Sequence, residues 1–209
     1  MKYGESLFCV VYLAFAIIMG LKIRNKRKDR IGDLMGTAVL ILGCGDAFHL
    51  VPRIMNHFMT GDFTALLGFG KLVTSVTMTI FYVYMYELWL KLYSYDKKLR
   101  PVVYILAVVR IVLCFFPQNN WFTGEPSLLW AVLRNVPFVI LGALIVVLFY
   151  RKKDAIYNLR LVWLWVTLSF LFYIPVAVGA SAVPMLGMLM IPKTVCYMIL
   201  IWTFWKQSV

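Results

Sequence analysis

Apolar stretches of membrane-crossing length recur along the whole chain, and little else about it constrains the fold so tightly. Seven such stretches run over roughly residues 6–22, 33–54, 66–90, 101–117, 127–150, 159–180 and 184–205. A helix needs about 20 mostly apolar residues to span the hydrocarbon core of a bilayer. Inside lipid, a spanning segment must satisfy its own backbone hydrogen bonds, and an isolated stretch can do so only as a helix. The expectation is an all-α membrane protein, a bundle of seven transmembrane helices in one domain covering residues 1–209. The composition agrees: 63% of residues are hydrophobic and 14% charged, against about 45–50% and about 25% in soluble domains.

The basic residues set the orientation. Loop 22–30 holds six Lys/Arg, loops 91–100 and 151–160 hold four each, and Lys206 lies in the tail, which together make 15 of the 21. The alternate loops, 55–65, 118–126 and 180–184, hold none. Loops rich in Lys and Arg stay on the cytoplasmic side. The pattern predicts an odd number of spans, the N-terminus outside, the C-terminus inside, and residence in the cytoplasmic membrane. The net charge of +12 is therefore read as topology, with the lipid bilayer as partner, and not as a nucleic-acid surface. Trp121, in an outer loop, reads as an interfacial anchor.

Cysteines 9, 44, 114 and 196 all lie in apolar stretches without paired spacing. They read as small buried hydrophobes, with no disulfide framework. No cofactor is implied. Seven-helix hydrolases of the alkaline-ceramidase and adiponectin-receptor kind hold zinc with several histidines on different helices. This chain has only His49 and His57, so no metal site is expected.

Chemistry concentrates in the remaining basic residues. Apart from Lys2, they are Arg53, Lys71, Arg110, Arg134 and Lys193, one on each of five predicted helices. Ionisable groups at membrane depth are costly; they face a bundle interior or water and find a partner. With the predicted topology, all five fall at the middle or outer level, Lys193 near the middle of helix 7. Asp46, His49 and Arg53 share one helix face by their three- and four-residue spacing, as do Lys71, Thr74 and Ser75. Gly43 and Gly45 permit a close helix approach. Asn135 and Tyr173 belong to the same level. Against five cations stand Asp46, with Glu5 and Glu125 near the rim. That surplus predicts an outward-facing cavity for a small anionic molecule or lipid head group, lined by Asp46, His49, Arg53, Lys71, Ser75, Arg110, Arg134, Asn135, Tyr173 and Lys193.

The bland alternative is that Arg53, Lys71 and Arg134 snorkel to lipid phosphates. Glu87 is expected to pair with Lys91 near the inner surface. The inner half offers few polar groups, which favours a sensor or binding protein over a small transporter. An alternative is a lipid-modifying enzyme in which Asp46 orients His49 as general base, the candidate catalytic pair. A remote one is a retinal protein: a lysine in helix 7 and Tyr173-Ile174-Pro175 in helix 6 look broadly like the microbial rhodopsins. Leu189 stands four residues before Lys193, where an acid would be expected, and helix 3 has no acidic counter-ion at mid-depth. The oligomeric state is not legible.

Overall fold

A computed structural model describes residues 2–93, 97–123, 127–179 and 183–209. Glu125 and the loop segments 124–126 and 180–182 lie outside the described residues. The chain is an all-helical bundle with no strand among the described residues: α1 Lys2–Lys26, α2 Arg30–Phe58, α3 Thr64–Tyr93, α4 Arg100–Phe115, α5 Leu128–Arg151, α6 Val162–Gly179 and α7 Met190–Ser208. Six of these regions are long and apolar enough to cross a membrane. The shorter one, α4, has 16 residues, or about 24 Å at 1.5 Å per residue. Short 3₁₀ segments, Lys97–Leu99 and Pro117–Asn119, extend it at either end.

Each helix packs on the next in sequence, and α1 closes the ring against α7. In addition, α3 touches α5 across the interior. Close approach of α2 and α3 depends on glycine. A Cβ on Gly45 would collide with Thr77, and one on Gly70 with the Phe48 carbonyl. Gly43 serves the other neighbour and lies against Ala16 of α1.

Contacts between remote segments fix which helix ends lie together. Arg27 donates to the Gln207 carbonyl and Asn158 to that of Lys206. The end of α1, the α5–α6 connection and the end of α7 therefore meet at the basic end of the bundle. Opposite, the start of α1 meets the end of α2, where Glu5 accepts from Arg53 at 2.6 Å with His57 beside it.

Helices α1, α2 and α3 extend past the apolar stretches because their first and last turns reach into the polar loops, whereas α6 lies within its stretch and α4 ends short of its own. α7 departs from this: it begins at Met190, since Pro184–Leu189 wind as a 3₁₀ segment. Lys193 therefore stands in the first turn of α7 and not near its middle. Pro192 also falls in that turn, where its missing N–H breaks no helical bond.

The surface facing away from the ring is apolar, as a lipid-facing surface must be. On α4, Val102, Ile105, Val109 and Val112 are exposed, while Val103, Ala107, Arg110 and Cys114 are buried. Those four buried positions recur at helical spacing, so Arg110 sits on the inward face.

Candidate functional site

Arg110 is the most deeply placed charge, 1% exposed. Its guanidinium stacks on the Phe138 ring at 3.3 Å. Stacking uses the face of the group and leaves its N–H bonds in plane. Two of the nitrogens, Nε and Nη1, are buried without a hydrogen-bond partner among the described residues. Unpaired buried donors are costly, and a buried cation more so.

Beside Arg110 lies a cavity of about 300 Å³. Its walls carry Arg53, Lys71, Arg110, Arg134 and Lys193, together with His49, Thr74, Ser75 and Tyr173. The remaining wall comes from Met78, Trp121, Phe138, Val176, Gly187 and Met190. Among the described residues, no carboxylate lines it. Five helices each contribute a cation because each presents its inward face at this level.

Aromatic rings hold three of the cations. Besides the Arg110–Phe138 stack, Arg134 lies over Trp121 at 4.3 Å and Lys193 over Tyr173 at 4.9 Å. A ring face attracts a cation through its quadrupole without occupying an acceptor-seeking N–H. Arg134 is further oriented by Asn119, whose Oδ1 accepts from Nη1 at 2.7 Å. The amide of Asn119 is itself tied to the Leu113 and Phe116 carbonyls at the end of α4. Trp121 donates to the Cys114 carbonyl at 2.8 Å. The turn after α4 thus builds one wall of the cavity, and Trp121, expected as an interfacial anchor, belongs to that wall.

Eight of the ten sequence-predicted residues line this cavity: His49, Arg53, Lys71, Ser75, Arg110, Arg134, Tyr173 and Lys193. Asp46 and Asn135 do not. Asp46 accepts from the Tyr12 hydroxyl at 2.7 Å, and its charge acts on Lys193 without forming an ion pair among the described residues. Asn135 accepts from the Tyr173 hydroxyl at 2.7 Å and donates to the Ala131 carbonyl at 2.8 Å. Asn135 therefore positions a group on the wall. The enzyme alternative needs Asp46 to orient His49, but Asp46 is bonded to Tyr12 instead, and His49 Nδ1 has no hydrogen-bond partner among the described residues. Glu87 pairs with Arg100 at 2.9 Å and Tyr104 at 3.1 Å and not with Lys91, because α4 brings a guanidinium alongside. Arg53 does not rely on lipid phosphate, since Glu5 neutralises it.

Tyr12, Asn119, Trp121 and Phe138 complete the site and were not foreseen. Only Asn119-Asn120-Trp121, a polar turn with an indole, carried any sequence signal.

Two neighbouring spaces matter. Toward the end of the bundle opposite the basic loops, a hollow of about 440 Å³ shares Lys71, Trp121, Arg134 and Val176 with the cavity. Its other walls include Asn119, Asn120, Thr64 and Ser127. Toward the basic end, aromatic packing closes the way. One turn past Met78 stands Tyr82, and one turn past Lys193 stands Tyr197, with their hydroxyls 3.2 Å apart. Phe138 and Phe170 pack on Tyr82 at 5.2 and 5.5 Å. Comparison of the chain with family models, curated proteins and solved structures finds no match.

Proposed function

We propose that this chain is a membrane-embedded binding protein whose cavity takes a small anion from the side opposite the basic loops. One observation carries the reading: five Lys/Arg side chains wall a cavity that no described carboxylate lines. Glu5 offsets Arg53, and the charge of Asp46 acts on Lys193. Lys71, Arg110 and Arg134 keep a charge surplus that a bound anion would neutralise. Arg110, stacked on Phe138 with Nε and Nη1 lacking a partner among the described residues, is prepared for oxyanion hydrogen bonds, which are stronger when one partner is charged.

The hollow beyond Lys71 and Arg134 supports entry from that end. The Tyr82–Tyr197 layer stands against a through-path, so binding or sensing is favoured over transport. By the positive-inside rule the entry side is the outer face, which suits a protein of the cytoplasmic membrane.

The test is thermal unfolding in an uncharged detergent, with and without inorganic phosphate or succinate. An anion that binds the folded state raises its stability, by about 2.7 kcal/mol at a hundred times its dissociation constant. The expected result is a rise in the wild type that Arg110→Met abolishes. No response of the wild type to either anion, together with no acidic molecule co-purifying by native mass spectrometry, would reject the reading.

A further inference from the structure

On the far side of Arg53, between α1 and α7, lies a cleft of about 260 Å³. It shares Arg53, Gly187 and Met190 with the cationic cavity. These three residues make the two spaces neighbours. The walls of the cleft are largely apolar, with Phe8, Leu50, Met188 and Ile191 among them. Its one charged pair, Arg53 with Glu5, is internally neutralised at 2.6 Å.

The cleft exists because α7 starts late. At the basic end α1 and α7 are held together, with Ile23 and Phe204 both fully buried and Arg27 bonded to the Gln207 carbonyl. At the other end the 3₁₀ segment Pro184–Leu189 replaces the helix, and its lip is exposed: Met188 is 50% and Ile191 41% accessible. Those residues lie on the exposed apolar surface of the bundle. The cleft thus opens to that surface on one side and adjoins the cationic cavity on the other.

From this juxtaposition, and resting on the anion reading above, we infer that the ligand is an anionic amphiphile with a single alkyl chain. Its phosphate or carboxylate sits among Arg110, Lys193 and Lys71, and its chain lies in the α1–α7 cleft. Charge complementarity places the head. The apolar wall places the tail, because burying a methylene is favourable in proportion to the apolar area removed from water. Neither space alone accounts for the other: an inorganic anion leaves the cleft unused, and an uncharged lipid leaves the cations unpaired.

Met188 gives the test its handle. It lines the cleft and not the cationic cavity, and it is half exposed at the lip. Met188→Trp therefore adds bulk to the cleft while leaving the cationic wall untouched. Radiolabelled dodecyl phosphate and radiolabelled inorganic phosphate are titrated onto the protein in phosphatidylcholine nanodiscs, with binding to empty nanodiscs subtracted. The wild type is expected to bind dodecyl phosphate at least tenfold more tightly than inorganic phosphate. Met188→Trp should remove that preference and keep the inorganic phosphate affinity, while Arg110→Met should lose both. Equal affinity of the wild type for the two probes, or a preference that Met188→Trp leaves intact, overturns the amphiphile inference and leaves a soluble-anion site. Binding of neither probe overturns the anion reading, and this inference with it.

Discussion

Asp46 shows how a residue can serve a site without lining its cavity. Lys193 is only 7% exposed, and its ammonium rests on the rings of Tyr173 and Tyr197. Asp46, fixed by Tyr12, supplies an opposing charge. Breaking a buried ion pair typically costs about 3–5 kcal/mol; without an ion-pair contact between Asp46 and Lys193 among the described residues, Asp46→Asn should lower the stability of the detergent-solubilised protein by less than that. Tyr12→Phe removes one hydrogen bond and leaves the charge in place; it should cost only about 0.5–1.5 kcal/mol. Denaturant titration of the two variants separates the effects, and an Asp46→Asn loss no larger than that of Tyr12→Phe would show that the charge is solvated. Lys193→Met should leave the empty protein as stable or more so, and it should weaken stabilisation by inorganic phosphate. The charges of this site were legible in sequence because a Lys or Arg inside an apolar stretch is conspicuous. Tyr12 and Phe138 were not, because a ring that supports a charge and a ring that fills a core look alike until their neighbours are known.

At the level of the helix, small residues and caps decide how the charged faces come together. Gly45 and Gly70 bring α2 against α3, and that approach sets His49 and Arg53 opposite Lys71 and Thr74. Thr74 adds a hydrogen bond to the Gly45 carbonyl at 3.1 Å. Gly45→Val must push Thr77 away; overpacking of this kind costs about 1–3 kcal/mol. Because it parts two walls of the cavity, the variant should also bind inorganic phosphate more weakly than the wild type. Unchanged phosphate affinity in a folded Gly45→Val protein would argue against this packing. At the other end of α2, Asp29 caps the helix by accepting from the Gly32 amide and from Arg27 Nε, each at 2.8 Å. The Arg27 hydrogen bond holds the Asp29 carboxyl below the usual carboxylate range. A depressed folded-state pKa stabilises above the unfolded value, about 3.9 for Asp, and that contribution fades as pH falls through the lower folded value. Asp29→Ala should therefore cost about 1 kcal/mol near neutral pH, and the difference from wild type should shrink in strong acid. Apolar length located these helices but not the start of α7. Residues 184–189 are as apolar as a helix, and the proline and glycine among them mark a 3₁₀ segment only once the chain must turn into the bundle.

For the molecule as a whole, orientation is the property that gives the cavity its meaning, and it rests on two independent features. The contacts place the α1–α2 connection, the α5–α6 connection and the end of α7 at one end of the bundle. The chain independently places 15 of its 21 Lys/Arg in the loops and tail of that same end. Moving that many cations across a bilayer is strongly disfavoured, so the basic end stays on the side of synthesis. The cavity and its hollow lie toward the other end, past Lys71 and Arg134. Ring closure of α1 on α7 was not legible, because apolar stretches state length and depth but not neighbours. The number of helices was legible, with α4 the shortest. Reporter fusions after residues 28, 97, 154 and 209 should all report the cytoplasm, and fusions after 60, 122 and 182 the outside. α4 is the decisive case, since its 16 residues fall short of the roughly 30 Å hydrocarbon core unless the flanking 3₁₀ segments or local thinning make up the rest. If α4 crosses, the fusions after 97 and 122 report opposite sides. If they report the same side, the chain crosses six times, the order of every later loop inverts, and the basic 151–160 loop would lie outside with the cavity mouth facing the cytoplasm on its α5–α7 side. That arrangement contradicts both the basic-loop pattern and the shared end of Arg27, Asn158 and Gln207, so opposite reports at 97 and 122 are the expected outcome.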